Sequence, residues 1–282
     1  MTKPIESVLP PIIYLDSCVV SDLAMKKIEL AAVIDKCGCS RATFAFTAHS
    51  VFEAIRGELP ARIAARALVI DNLANMWLAN PVDQRELQIA RFLKPDFSSK
   101  LPTDLRFPSL GALMQFDLGA ERVTHPQWYS ASYFACHKIR GASDGSAIDL
   151  WFEFGESVRA SLTLDKPGIL DIEVNLILAK RVIETYGLAE SSEDAMRMMA
   201  KIATGSSNLR AECPTLEIER LLSEFRTSGA LKKNTSNTYD FFHLWAALNS
   251  CDFFVSSDAS ALEAVEYVRT RYPNRLAVAL QI

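Results

Sequence analysis

Short apolar runs alternate with amphipathic stretches in the first 93 residues. The run Ile12–Leu15 follows two prolines and stops at Asp16, as expected of a buried strand. The run TFAFT predicts a second strand at Thr43–Thr47 because it is rich in β-branched and aromatic residues. The stretch NMWLANPVDQRELQIARFL predicts a third short strand, a turn at Asn80–Pro81 and a further helix. Between the strands, helices are predicted at residues 21–36, 48–57 and 61–75.

The middle of the chain has a different pattern. Residues 94–126 are punctuated by proline, serine and glycine, which predicts a loop with a helix around Leu110–Phe116. Residues 127–229 show apolar positions at helical spacing and no strand pattern. We therefore expect a mostly helical insertion over residues 94–229. Its helices are predicted at 145–160, 169–187, 191–204 and 214–228.

The alternation of strands and helices returns after the insertion. Strands that alternate with helices predict a parallel sheet with helices on both faces. The expected fold class is a three-layer α/β/α domain, built from residues 1–93 and 230–282 and divided by the helical insertion. Its last four elements are predicted as a helix at 237–250, a strand at 252–256, a helix at 259–271 and a strand at 275–280.

Composition and charge narrow the class of protein. Apolar residues make up 49% of the 282 residues, which is enough for a sizeable core. The six cysteines are scattered without a CxxC pair, as expected of reduced thiols in the cytoplasm. The N-terminus has no apolar signal core and no run is long enough to span a membrane. The sequence therefore predicts a soluble cytoplasmic protein.

The formal net charge of −4 removes any general attraction to nucleic acid. A polyanionic substrate would need a local basic patch or a metal ion. Arg56, Arg62 and Arg66 are candidates for such a patch, although a solvated face explains them equally well.

Four acidic residues occupy comparable places in the predicted elements. Asp16 follows the first strand and Asp258 follows the strand at 252–256. The carboxyl ends of parallel strands form one edge of a sheet, where ligands bind, so these two acids are expected to meet there. Glu53 lies in the helix after the second strand, and Asp240 lies in the helix before the predicted strand at 252–256.

These segments resemble the PIN-domain family of metal-dependent nucleases. YLDSCVVSDL is similar to the first strand of that family with its leading aspartate, and FTAHSVFEAI to the strand and helix with its glutamate. YDFFHLWAALNSCDFFVSSDASAL is similar to the helix aspartate and the strand that ends in Ser/Thr-x-Asp. The resemblance covers residues 11–93 and 232–282, and the long stretch between Glu53 and Asp240 departs from it.

The resemblance implies a ribonuclease that uses Asp16, Glu53, Asp240 and Asp258 as both metal ligands and catalytic residues. Crowded carboxylates raise one another's pKa values unless a cation neutralises them, and oxygen ligands favour Mg²⁺ or Mn²⁺. The implied reaction is hydrolysis of RNA by a metal-activated water to a 5′-phosphate product, with one or two ions. Ser17 and Ser256 are expected as hydrogen-bond donors to a ligand water or a carboxylate.

Each acid also has a simpler explanation. Asp258 can cap the helix that follows it, Asp16 can cap a turn, and Glu53 can be a solvated surface residue or pair with Arg56. Asp240 is harder to explain in this way, because it lies beside the buried face of its helix without a basic residue one turn away. The joint occurrence of the four acids favours the metal site.

Two histidines leave a different site open. His243 lies one turn after Asp240, and His49 lies one turn before Glu53, so both pairs can form a mixed carboxylate–imidazole site of a hydrolase that acts on other substrates. The alternative for both histidines is a hydrogen-bonded or solvated side chain. Lys232 and Lys233 are candidates for phosphate contacts.

The remaining alternatives concern partners. A non-catalytic PIN-like module that binds nucleic acid or protein is the main alternative to an enzyme. RNA is the expected substrate. The helical insertion can shape an RNA-binding groove, contact a partner or carry the interface of a homodimer, and an antitoxin-like protein partner is implied by the resemblance alone. The chain has no GxGxxG, GxxxxGK[ST] or GxSxG motif, which argues against dinucleotide, P-loop and serine-hydrolase chemistry.

Overall fold

A mostly parallel sheet forms the centre of the computed structural model. The described part of this sheet has six strands in the order β4-β3-β2-β1-β5-β6, and only β4 is antiparallel to its neighbour. The structure describes residues 9–57, 59–96, 105–141, 147–160, 171–228, 236–272 and 276–282, with no description of the side chains of 156, 158–160, 171, 206, 207 and 236–239. The strands are β1 (Ile12–Leu15), β2 (Thr43–Thr47), β3 (Ala74–Leu78), β4 (Arg106–Phe107), β5 (Phe253–Ser256) and β6 (Val278–Gln281).

Helices surround the sheet and fill the described part of the insertion. The helices before the insertion are α1 (Ser17–Ala24), α2 (Leu30–Lys36), α3 (Ala48–Ala54), α4 (Pro60–Leu73) and α5 (Pro81–Leu93). The helices within it are α6 (Leu110–Leu118), α7 (Ala131–Arg140), α8 (Ala147–Ala160), α9 (Asp171–Tyr186), α10 (Ser192–Thr204), α11 (Ser206–Glu212) and α12 (Pro214–Thr227). The last two helices are α13 (Ser236–Ser250) and α14 (Ala259–Arg271).

Successive strand residues pack into hydrophobic clusters on opposite faces of the sheet. In β1, Ile13 and Leu15 belong to one cluster and Tyr14 to the other. In β5, Phe254 and Val255 are divided in the same way. This alternation follows from the two-residue repeat of a strand, and continuous apolar runs are typical of strands covered on both faces. The α/β class and the mostly parallel sheet are thereby confirmed, with helices on both faces.

The insertion packs against both faces of the sheet. Trp151 of α8 and Phe134 of α7 lie in the cluster with Ile13, whereas Leu222 of α12 lies in the cluster with Tyr14. A third cluster joins α5 to α9, α10, α11 and α12. The division into residues 1–93 with 230–282 and residues 94–229 stays a prediction, and the described parts of the two units share their apolar cores.

A buried ion pair also joins the insertion to the sheet unit. Arg85 of α5 and Glu219 of α12 are both fully buried, and Arg85 Nη1 lies 2.5 Å and 2.6 Å from the two carboxylate oxygens of Glu219. The Arg85 guanidinium also lies over the ring of Trp245, 5.5 Å from its centroid. Burying two charges is tolerated here because each neutralises the other.

Close packing places α8 against α3. Phe52 of α3 contacts the ring of Trp151 at a centroid distance of 4.8 Å and that of Phe152 at 5.0 Å. A Cβ atom at Gly155 would overlap the Phe52 ring, so only glycine permits this approach. The insertion therefore supports the helix that bears Glu53.

The predicted helix at 21–36 is wrong as a single element. The chain forms α1 and α2 with a break between them, where Lys26 adopts a positive φ of 56°. The break occurs because a non-glycine residue in the left-handed region ends a helix. Helix α1 also begins earlier than predicted, because Asp16 caps it through Ser17 N.

Three elements were absent from the sequence prediction. These are β4, which pairs with β3 at the edge of the sheet, and the helices α7 and α11. The other predicted elements are confirmed within a few residues where they fall in the described ranges. Among the helices described, none is long and apolar enough to cross a membrane.

Candidate active site

Asp16 lies directly after the carboxyl end of β1, and its backbone amide still forms a hydrogen bond to the neighbouring strand β5. Asp16 N donates to Val255 O at 3.0 Å, which fixes the residue beside β5. Its Oδ1 accepts from Ser17 N at 2.7 Å, and its Oδ2 accepts from Ser256 Oγ at 2.6 Å and Cys18 Sγ at 3.3 Å. Three donors therefore hold the carboxylate. The residue as a whole is buried, with 6% of its surface exposed.

Ser256 connects Asp16 to Asp258. Its hydroxyl, which is fully buried at the end of β5, donates to Asp16 and accepts from Asp258 N at 2.9 Å. Asp258 is exposed, and its Oδ1 accepts from Ser260 N at 2.8 Å at the start of α14. The capping interpretation of Asp258 is thus confirmed, and its backbone is fixed beside Asp16.

Glu53 faces the same edge from α3. Its Oε2 lies 2.6 Å from His243 Nε2, and the Ser17 side chain also hydrogen-bonds the carboxylate. Burial raises the pKa of Glu53, but the hydrogen bond and charge of His243, with Ser17 and Arg56, outweigh it and lower the pKa below its usual value. The interpretation of Glu53 as a solvated surface residue is wrong, since its side chain is only 19% exposed.

His243 is held at both ring nitrogens. Nδ1 lies 2.5 Å from Tyr14 Oη, and that hydroxyl lies 3.0 Å from both Thr47 Oγ1 and Ser50 Oγ. Burial opposes protonation of His243, but Tyr14 and the Glu53 carboxylate outweigh it and raise its pKa well above the usual value. The Glu53–His243 contact is therefore a charged pair inside a polar network.

Sequence reasoning missed Tyr14, Thr47 and Ser50 as parts of this network. The available signal was small: Tyr14 is the one hydroxyl-bearing residue of the run IIYL, two positions before Asp16. A buried tyrosine hydroxyl needs a hydrogen-bond partner, so it indicates polar groups nearby.

Asp240 is half-buried in α13 and lies in the electrostatic field of the other acids. Burial, Glu53, Asp16 and Asp258 raise its pKa to about 7, while His243 opposes them. The other three predicted acids therefore act on the carboxyl group of Asp240. Their segments also adjoin one another, since β1 pairs with both β2 and β5.

The other predicted contributors lie elsewhere. His49 is buried in the core, where its ring stacks on Phe242 at 4.2 Å with an interplanar angle of 11°. His49 therefore lies in the core, because α3 is buried on almost every side. Lys232 and Lys233 fall outside the described residues.

The carboxylates at this edge of the sheet are suitable ligands for a divalent cation. In the structure, however, their side chains do not converge on one point. Carboxylate oxygens are the ligands of Mg²⁺ and Mn²⁺, and burial together with the neighbouring acids raises the pKa of Asp240. Within the described ranges, no three His, Cys, Asp or Glu side chains form a group that could hold a metal ion. Asp16 and Glu53 are instead oriented by hydrogen bonds to protein donors.

Comparisons with known proteins add nothing to this description. No protein-family model, curated protein or solved structure matches the chain significantly.

Proposed function

We propose that this chain is a divalent-metal-dependent ribonuclease, similar in site and fold to PIN-domain nucleases. The proposal is supported chiefly by the placement of the acids, since Asp16 and Asp258 follow the adjacent strands β1 and β5 and are joined through Ser256. Burial, together with the charges of Glu53, Asp16 and Asp258, also raises the pKa of Asp240 to about 7. The four acids come from distant segments of the chain and lie at one edge of the sheet. A common metal site explains this placement better than four unrelated helix caps or surface positions do.

Asp16, Glu53, Asp240 and Asp258 would hold Mg²⁺ or Mn²⁺. The bound ion would lower the pKa of a water molecule and neutralise charge on the phosphate. Hydrolysis would break the bond between phosphorus and the 3′ oxygen, leaving a 5′-phosphate and a 3′-hydroxyl. The positive charge of the ion would also offset the repulsion between Asp240 and the other three carboxylates.

The surrounding residues would orient the carboxylates. Ser256 holds Asp16 by a hydrogen bond, and the pair of His243 with Tyr14 holds Glu53. Groups of this kind determine the direction of ligand oxygens and are typical of metal sites. Because both nitrogens of His243 are engaged with Tyr14 and Glu53, a positioning role is favoured over direct ligation in a mixed histidine site.

The direct test is cleavage of RNA by the purified protein. We expect cleavage of a labelled RNA with Mn²⁺ or Mg²⁺, loss of cleavage in EDTA, and 5′-phosphate ends on the products. Asp16→Asn and Asp240→Asn should each abolish cleavage without loss of the folded state. Asp35→Asn, an exposed aspartate of α2, is the matched control and should retain activity.

A non-catalytic PIN-like binding module is the second candidate. It is favoured by the finding that the described residues have no ready group of three metal ligands. The same assay separates the two functions: RNA binding without cleavage at any concentration of either ion would favour the binding module. A homodimer and an antitoxin-like partner stay predictions from the resemblance.

A further inference from the structure

A cavity of about 530 Å³ opens beside the candidate active site, between α1 and the connection from α3 to α4. Its volume lies in the range of sites that bind small ligands or single nucleotides. Arg56, Arg62 and Arg66 line it, together with Ser21. Three arginines around one cavity form a local positive site in a chain whose net charge is −4.

Arg66 connects this cavity to the acidic edge. Its side chain also lines a water-sized space of about 10 Å³ together with Glu53, Ser17 and His243. Burial and Arg62 lower the pKa of Arg66, whereas Glu53 opposes them, so Arg66 interacts with both an arginine and the site glutamate. The cavity is therefore adjacent to the candidate active site.

The Arg66 guanidinium is held in place on one side only. Nη2 donates to Arg56 O at 2.5 Å, and Gly57 turns the chain around it with a positive φ of 130°. Arg66 Nε is buried and has no hydrogen-bond partner among the described residues. The guanidinium groups of Arg62 and Arg66, two of the residues that line the cavity, favour binding of an oxyanion there.

The cavity also has apolar lining residues. Met25 is 45% exposed and Leu59 is 55% exposed, and both line the cavity. Methionine and leucine side chains provide an adaptable apolar surface. A cavity lined by both arginines and exposed apolar side chains is complementary to one nucleotide, which has an anionic phosphate and an aromatic base.

We propose that this cavity binds one nucleotide of single-stranded RNA, next to the phosphodiester that is cleaved, with the nucleotide's phosphate on Arg62 and Arg66. The assignment rests on the proposed function. A single strand is favoured over a duplex because only an unpaired base can turn into a concave, partly apolar site.

The test measures binding in EDTA, where no cleavage occurs. A fluorescent single-stranded RNA is titrated with the wild-type protein, Arg62→Ala and Arg62→Lys over a range of salt concentrations. Arg269→Ala, a surface arginine of α14 paired with Glu266, is the matched control. Arg62 is exposed, so its replacement should leave the fold intact, which a thermal melt verifies.

We expect Arg62→Ala to weaken binding about 5- to 20-fold and to reduce the slope of log Kd against log salt by about 0.7, the value for one phosphate contact on a single strand. Arg62→Lys should keep the slope, because lysine also neutralises a phosphate. Arg269→Ala should change neither quantity.

Four results would overturn the assignment of the nucleotide site. The slope of log Kd against log salt could be the same for Arg62→Ala and the wild type, or Arg269→Ala could weaken binding as much as Arg62→Ala does. Duplex RNA could bind as tightly as the single strand, or the wild type could bind no RNA.

Cleavage with Mn²⁺ separates this inference from the proposed function. If the wild type cleaves RNA and Arg62→Ala behaves like the wild type in binding, the ribonuclease proposal survives and the nucleotide site fails. If binding depends on Arg62 but no cleavage occurs, the nucleotide site survives and the ribonuclease proposal fails.

Discussion

His243 Nε2 lies 2.6 Å from Glu53 Oε2, although 190 residues separate the two along the chain. The contact joins α13 to α3 across the edge of the sheet. Because the pKa of Glu53 is lowered and that of His243 is raised, both partners are charged and the hydrogen bond is a strong one. Glu53 therefore has a fixed orientation before any ligand arrives.

We expect Tyr14→Phe to disturb this orientation without removing an acid. The change removes the hydroxyl next to His243 Nδ1 and leaves a buried polar nitrogen, which should lower the free energy of unfolding by about 1–3 kcal/mol. Loss of a group that orients a ligand should reduce metal-dependent cleavage by about 10- to 100-fold. Denaturant unfolding and initial cleavage rates measure the two effects.

Tyr267→Phe is the matched control for this change. The Tyr267 hydroxyl bonds Glu224 on the surface at 2.7 Å, so its removal should alter neither stability nor cleavage. Equal behaviour of the two tyrosine variants would contradict a special role for Tyr14.

Asp240→Asn should stabilise the protein when no metal is present. The folded-state pKa of Asp240 is raised from 3.8 to about 7, so its ionisation lowers stability as the pH rises through that interval. Asparagine removes this loss. After allowance for solvent screening of a half-buried group, we expect a gain of about 1 kcal/mol, or roughly 2–4 °C in Tm, at pH 8 and less at pH 5.

Thermal melts in EDTA and in Mn²⁺ measure this effect. Mn²⁺ should raise the Tm of the wild type and leave that of Asp240→Asn nearly unchanged, whereas Asp35→Asn should follow the wild type. A less stable Asp240→Asn variant at pH 8 would show that the repulsion among the acids is absent.

A second pair of acids should make the stability of the whole protein depend on pH. Burial and Glu86 raise the pKa of Asp83 to about 7, and burial and Asp83 raise that of Asp117 to about 8. A raised folded-state pKa means that stability is complete below pH 4 and is lost as the pH rises through 7 to 8. Trp151 Nε1 donates to Asp117 Oδ2 at 2.7 Å, a bond that asparagine can still accept.

We therefore expect Asp117→Asn to flatten the decline in unfolding free energy between pH 5 and pH 8. The difference from the wild type should reach about 1–3 kcal/mol in favour of the variant at pH 8. Guanidinium unfolding at pH 5, 6.5 and 8 measures it. Parallel pH profiles for the two proteins would contradict the raised pKa of Asp117.

Glu219→Gln should be strongly destabilising. It removes the closer of the two negative partners of the fully buried Arg85 guanidinium and leaves Glu86 at 3.9 Å, and breaking a buried pair in this way costs about 3–5 kcal/mol. Glu266→Gln, which breaks the surface pair with Arg269, should cost less than about 1 kcal/mol. Urea unfolding compares the two, and similar losses would mean that the Arg85 site is hydrated.

The sheet could be predicted from the sequence because its inner strands are buried on both faces. Runs such as IIYL and TFAFT are continuous and apolar, and each stops at a polar residue where the strand ends. β4 could not be found, since two residues contain no period. The break at Lys26 could not be predicted either, because a lysine in the sequence does not indicate a positive φ.

The acids of the candidate site could be placed for the same reason. Asp16 and Asp258 follow adjacent parallel strands, so their proximity is a consequence of topology. The contacts of His243 with Tyr14 and Glu53 could not be predicted, because no spacing along the chain relates the three residues. The burial of His49 could not be predicted either, because its spacing from Glu53 does not show that α3 is buried on almost every side.

The tight approach of Gly155 to Phe52 ties the two parts of the chain together mechanically. Phe52 is the neighbour of Glu53, so α8 braces the segment that presents this carboxylate. A shift of α8, whether by a bound partner or by a mutation remote from the sheet, would be transmitted to Glu53 through a single ring. The position of α8 therefore affects the position of Glu53. A truncated chain without the insertion would lose the contacts of α8 with Phe52, next to Glu53.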